Sequence, residues 1–174
     1  LAEAQPECSE AMQERARAYE AQLLALHDWI VAAVATIPDQ QRILVTAHDA
    51  FSYYGRAYGI EVVGIQGIST DAEAGIADIR RTVDVVVERS VPAIFVESTI
   101  SPRTIQAVLE AAENRGHDVK MGEPLYSDAM GSAGTRSGTY LGMLYENTAN
   151  IVAGLGGELP PLPAELEAWH GQWQ

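Results

Sequence analysis

Arg42-Ile43-Leu44-Val45-Thr46-Ala47-His48-Asp49-Ala50-Phe51 is the stretch whose reading decides the fold. Residues 42–47 form an apolar run of strand character, and an imidazole follows at its carboxyl end. A second stretch, Leu125-Tyr126-Ser127-Asp128-Ala129-Met130-Gly131, closes the run 119–126, which reads as a buried strand broken by Pro124, and presents a carboxylate. In open α/β sheets, ligands occupy the crevice beyond the carboxyl ends of the strands, where loops vary without disturbing the packed sheet. His48 and Asp128 are thereby placed to share one site. Neutral imidazole and carboxylate both suit a divalent transition metal, but a protein site ordinarily supplies four or more ligands. If this is a metal site, half of it lies outside the chain.

Working outward, the pattern alternates between strand and helix. Residues 51–58 predict a short helix stopped by Gly59, and residues 60–65 a second strand. Thr70-Asp71-Ala72-Glu73 has the form of a capping box opening a helix with Ile76, Ile79, Val83 and Val86 on one face. Pro92 introduces a third strand, residues 93–96, ending at Glu97. Ser101-Pro102 starts a helix and Arg115-Gly116 stops it, because proline at the first helical position forfeits no hydrogen bond and glycine accepts the left-handed cap. Residues 119–121 give the fourth strand, and residues 139–155 a last long helix aligning Leu141, Leu144, Thr148, Ile151, Val152 and Leu155. The fold class is α/β, a four-stranded, mostly parallel sheet flanked by helices. A strand order of two-one-three-four puts the topological switch between the first and third strands, where His48 and Glu97 stand.

Upstream, residues 9–37 lack Gly and Pro, and Met12, Ala16, Tyr19, Leu23, Leu26, Ile30, Val34 and Ile37 recur at steps of three and four. Such a helix would be roughly 40 Å long and would overhang a small sheet. A rigid connector, an oligomerisation arm and a core helix of a bundle all fit this pattern. The expected division is a long backbone helix over residues 1–38, an α/β lobe over 39–157, and a proline-rich tail with a short terminal segment over 158–174.

Composition sets further bounds. The 174 residues, 47% hydrophobic, suffice for one good core. The formal net charge is −13 and Lys120 is the only lysine, which argues against nucleic acid and anionic membrane surfaces as partners. Cys8 stands alone, so an internal disulfide and a thiolate cluster are both excluded. No signal peptide or apolar run of transmembrane length is present, and because the chain starts at Leu1 an upstream piece is expected to have been removed. His27, His117 and His170 lack acidic or imidazole neighbours in a ligating context.

With these residues in view, the stretch 43–155 closely resembles the carboxyl-terminal lobe of the zinc- and manganese-specific solute-binding proteins of metal ABC transporters, the cluster A-I metal-binding family. The resemblance rests on Thr46-Ala47-His48-Asp49-Ala50-Phe51, Tyr58-Gly59-Ile60-Glu61-Val62-Val63-Gly64-Ile65-Gln66-Gly67-Ile68-Ser69-Thr70, Phe95-Val96-Glu97-Ser98, Arg115-Gly116-His117 and Leu125-Tyr126-Ser127-Asp128-Ala129-Met130-Gly131. The segment 19–30 is also similar to the long helix that joins the two lobes in that family. The resemblance implies that His48 fills a third ligand position, which is His or Glu in the family, and Asp128 a fourth. It implies zinc or manganese as the bound ion, with iron as an alternative, two further histidines in a missing amino-terminal lobe, and a membrane permease as partner. It also implies an extracytoplasmic setting, periplasmic or lipid-tethered, and no enzymatic activity. A two-ligand shelf should bind metal weakly alone, and loss of the facing lobe should favour self-association.

Around the two ligands, Glu97 reads either as a group supporting His48 or as a carboxylate satisfied by the amides of residues 98–101. Ser127 and Tyr126 are expected to fix the Asp128 loop, with Gly131 and Gly134 allowing tight turns. Two other classes stay open: a flavodoxin-like interaction module in which His48 is structural, and a hydrolase pairing His48 with Asp49 or Asp128. Against the hydrolase, the chain has no nucleophile elbow, no Gly-rich phosphate loop and no thiol in the sheet region.

Overall fold

The structure, a computed structural model, describes residues 3, 5–69 and 74–173. The expected capping box at residues 70–73 lies outside the described residues. Four strands, β1 (Ile43–His48), β2 (Glu61–Gln66), β3 (Ala93–Phe95) and β4 (Lys120–Met121), form one sheet in the order β2-β1-β3-β4. Every pairing is parallel, with Ile43 opposite Glu61, Val45 opposite Ile94 and Ala93 opposite Lys120. Among the described residues six α-helices accompany it: α1 (Ser9–Ala35), α2 (Ser52–Tyr58), α3 (Ile76–Glu88), α4 (Arg103–Glu113), α5 (Tyr140–Gly154) and α6 (Ala164–Gly171).

Two apolar clusters cover the two faces of the sheet. Leu44, Phe95 and Leu125 meet Leu26, Ile30 and Val34 of α1 together with Ile151 and Val152 of α5. On the other face Ile43, Val45 and Ile94 meet Val83 and Val86 of α3 and Ile105 and Val108 of α4. Only the carboxyl-terminal half of α1 is buried, from Leu26 to Val34, and Tyr19 is 44% exposed. The amino-terminal half of α1 therefore overhangs the core, as its length requires. At the other end of the chain, Leu166 and Trp169 of α6 are buried in the α1 face.

The observed boundaries differ from the sequence reading in three places, each with a local cause. Ile76 does not join the buried face of α3 but is 73% exposed, because it occupies the helix's first residue, ahead of the buried turn at Thr82 and Val83. The first turn of α3 is capped by Asp78, whose carboxylate accepts the Gly75 N–H at 3.0 Å. Pro102 stands just before α4 rather than inside it.

The third difference is at β4, which is exposed at the sheet edge rather than buried. Lys120 N–H donates to Pro92 O and Gly122 N–H to Ile94 O, so parallel pairing would next call on residue 124 to reach Val96 O. Proline has no N–H to give. Leu125 N–H takes that carbonyl at 2.9 Å, and the strand slips by one residue immediately before the Asp128 loop.

Phe95, fully buried, sits where backbone must approach closely. A β-carbon on Gly122 or Gly154 would collide with its ring. Phe95→Ala is expected to cost about 3–5 kcal/mol, and Gly154→Ala about 1–3 kcal/mol by overpacking. Denaturant unfolding measures both.

Candidate metal centre

β1 carries its burial through to its last residue, and His48 is only 2% exposed. Its carbonyl accepts from Thr46 Oγ1 at 2.8 Å and from the Ala50 N–H at 3.0 Å, which turns the chain sharply into α2. Its N–H donates to Glu97 Oε1 at 3.2 Å, across the switch point between β1 and β3. The imidazole lies between two carboxylates: Nδ1 is 3.2 Å from Glu97 Oε1, off the line of a good hydrogen bond, and Nε2 is 3.4 Å from Asp128 Oδ2.

These carboxylates occupy opposite environments. The Asp128 side chain is 57% exposed, whereas Glu97 is 2% exposed and its Oε2 has no hydrogen-bond partner among the described residues. Burial pushes the Glu97 carboxyl above the usual carboxylate range, only partly countered by the His48 amide and imidazole. Glu97 faces the Nδ1 side of the ring and Asp128 the Nε2 side. Glu97 thus rests on His48, and no bond from the amides of residues 98–101 to its carboxylate is found among the described residues.

Ser127 is also near, but its hydroxyl is buried without a partner among the described residues, so it does not tie the Asp128 loop. The loop is held by Asn147 of α5, a residue the sequence reading passed over as one more polar position. Its Oδ1 accepts the Tyr126 N–H at 2.8 Å and its Nδ2 donates to the Tyr126 carbonyl at 2.7 Å. The available signal was an amide side chain inside an apolar helical stripe. Gly134 does take the left-handed conformation, at φ 81°, and Gly131 packs against Ser137.

The remaining candidates go elsewhere. Asp49 accepts from the Ser52 hydroxyl at the start of α2. His27 Nδ1 meets Tyr58 OH at 3.2 Å, His117 Nε2 meets the Val91 carbonyl at 2.9 Å, and His170 Nε2 is 2.9 Å from Arg136 Nη1. Among the described residues no group of three or more His, Cys, Asp or Glu side chains is placed to hold a metal ion together. An aromatic cavity of about 310 Å³ adjoins the site, lined by Tyr53, Tyr54, Tyr126, Ser127 and Tyr140. A larger apolar groove, between α1 and the proline-rich tail, shares no residue with the site.

A parallel sheet with a histidine and a carboxylate meeting beyond its strand ends, at the switch point, defines an α/β lobe whose crevice opens there. The model of the family described as zinc-uptake complex component A, periplasmic, matches residues 1–154, and the chain belongs to that family. It is 44% identical over 155 residues to the manganese-binding lipoprotein MntA of Bacillus subtilis, covering 89% of this chain and 51% of that protein. It is 46% identical over 142 residues to the zinc-binding protein TroA of Treponema pallidum, covering 82% of this chain and 46% of that protein. The solved TroA structure superposes with a TM-score of 0.84 over 88% of this chain and 56% of that one, at 43% identity. The Fe(III)-bound YtgA structure from Chlamydia trachomatis gives 0.83 at 25% identity, over 92% of this chain and 57% of that one. The chain spans about half the length of the curated relatives it matches.

Because the raised carboxyl of Glu97 holds its proton in the folded state to a higher pH than it does unfolded, its contribution to stability is complete at low pH. Stability is lost as pH rises through the folded-state value, since the native state then binds more protons than the unfolded one. Glu97→Gln removes that ionisation. The metal-free variant is expected to melt above the parent at pH 8, with the gap closing as pH falls toward the ordinary carboxylate range. Thermal melts across pH measure it.

Proposed function

We propose that this chain is the carboxyl-terminal half of the extracytoplasmic solute-binding component of a metal ABC transporter, and that His48 Nε2 and Asp128 are its ligands to a divalent transition metal. The separation of 3.4 Å between those two donors carries the reading. Two ligands each about 2.1 Å from one ion, at a tetrahedral angle, stand about 3.4 Å apart, so the spacing of the pair matches that of two zinc ligands. Glu97 would orient the imidazole and Ser127 would border the site. The remaining ligands would come from an amino-terminal lobe closing over the shelf, and a permease would receive the ion.

The relatives support zinc or manganese as cargo, with iron as an alternative: MntA is named for manganese, TroA for zinc, and YtgA is seen with Fe(III). A lipoprotein or periplasmic relative fits an extracytoplasmic setting, periplasmic or lipid-tethered, and no helix among the described residues is long and apolar enough to cross a membrane. The role is binding and delivery rather than catalysis. Of the two pairings in the hydrolase alternative, His48 with Asp49 is disfavoured because Asp49 is engaged by Ser52, and His48 with Asp128 is the pair read here as metal ligands.

Calorimetric titration of the two-lobed protein tests the reading. His48→Ala and Asp128→Asn are each expected to weaken zinc and manganese binding beyond the roughly 10–100-fold loss typical of groups outside the coordination sphere. Parent-like affinity in both His48→Ala and Asp128→Asn would leave the interaction-module alternative in place.

The present chain alone is expected to bind metal weakly and to self-associate. Tyr53, Met130 and Tyr140 are at least half exposed on or beside the site, and Leu24 on α1 is 59% exposed. Light scattering showing a strict monomer at high concentration would contradict the second expectation.

A further inference from the structure

The metal-site reading leaves open what holds Asp128 in place, since its own side chain is largely solvent-exposed and Ser127 beside it makes no bond among the described residues. We infer that Asn147 is the positioning residue for Asp128, fixing the carboxylate opposite His48 by clamping the backbone two residues before it. The inference rests on that reading of the site.

Asn147 is buried in the middle of α5, where an amide side chain is a poor helix former and costs free energy unless its groups are paired. Both of its groups are spent on one residue. Oδ1 takes the Tyr126 N–H at 2.8 Å and Nδ2 gives to the Tyr126 carbonyl at 2.7 Å, so the side chain imitates a neighbouring strand. The preceding residue is gripped from the sheet side, with Leu125 N–H on Val96 O and Ser98 N–H on Leu125 O, both at 2.9 Å. Consecutive residues are therefore held from opposite directions, by β3 and its extension and by α5. Two residues beyond Tyr126 reach at most about 7 Å, which confines Asp128 to the neighbourhood of His48.

The next residue on α5 acts on the other ligand's side. Thr148 Oγ1 donates to the Leu144 carbonyl at 2.8 Å, which leaves its lone pairs to accept from Tyr54 OH at 2.8 Å, and Tyr54 belongs to α2, the helix that follows His48. One turn of α5 thus braces the segment that leads into Asp128 and the helix that follows His48. Without the Asn147 clamp, the Tyr126 amide and carbonyl would turn to water. Ordering the loop would then be charged against each metal-binding event.

The test uses Co(II) titrations of the two-lobed protein, read by affinity and by the cobalt d–d absorption spectrum. Asn147→Ala is expected to lower Co(II) affinity about tenfold, the low end of the range for groups outside the coordination sphere, and to shift the d–d bands. Asn147→Asp keeps the acceptor for the Tyr126 N–H but sets an oxygen against its carbonyl, and should lose affinity in the same direction, which guards against misfolding of the alanine variant. Val86→Ala, a cavity on the other face of the sheet in the cluster that contains neither Leu125 nor Tyr126, should leave both affinity and spectrum at parent values. The inference is overturned if Asn147→Ala and Asn147→Asp keep the parent affinity and spectrum while Asp128→Asn loses the metal, or if Val86→Ala reproduces their effects. Parent-like binding in Asp128→Asn would instead overturn the metal-site reading, and this inference with it.

Discussion

All six residues of β1 are buried, and the strand ends by carrying an imidazole into the same dry surroundings. A central parallel strand covered on both faces accepts apolar side chains without penalty, but a polar one at its end must find a partner there. Glu97, at the end of the neighbouring β3 strand, supplies it from across the switch point. The arrangement has a consequence for the carboxylate itself, one oxygen of which has no hydrogen-bond partner among the described residues and whose proton is held more tightly than in water. What stabilises the histidine therefore strains its support, and the strain is borne by a fully packed core on either side.

Asymmetry between the two carboxylates follows from this burial. Glu97 faces inward and touches only His48 and its surroundings, whereas Asp128 rides on a loop at the lip of the crevice with more than half of its side chain in solvent. On the proposed reading, the buried carboxylate would orient the imidazole and the exposed one would carry charge toward the ion. The sheet and α5 anchor the Asp128 loop at Leu125 and Tyr126.

The helices that carry those anchors are themselves braced against α1. Trp29 stacks on Tyr145 of α5 with ring centroids 5.0 Å apart and donates to the Pro160 carbonyl at 3.0 Å, while His27 meets Tyr58 of α2. Arg136 joins Glu146 and His170 and lies over the Tyr145 ring, tying the terminal helix to the same face. On the proposed reading, a shelf fixed this firmly to the long helix leaves the closing motion to the facing lobe.

The order of the four strands, the crossover helices, the long overhanging helix and the strand-end positions of His48, Glu97 and Asp128 were legible in the residues, because hydrophobic period and helix punctuation are local signals. The sequence also carried Pro124, whose missing N–H forces the slip that precedes the Asp128 loop, although its effect becomes visible only beside the Val96 carbonyl. Tertiary structure alone decided that Ile76 lies outside the core, that Glu97 turns to His48 rather than to the following amides, and that Asn147 rather than Ser127 secures Tyr126. Periodicity shows which face of a helix is apolar but not how far that face meets a partner. Hydrogen bonds between residues tens of positions apart depend on distances that exist only once the sheet and its helices have packed.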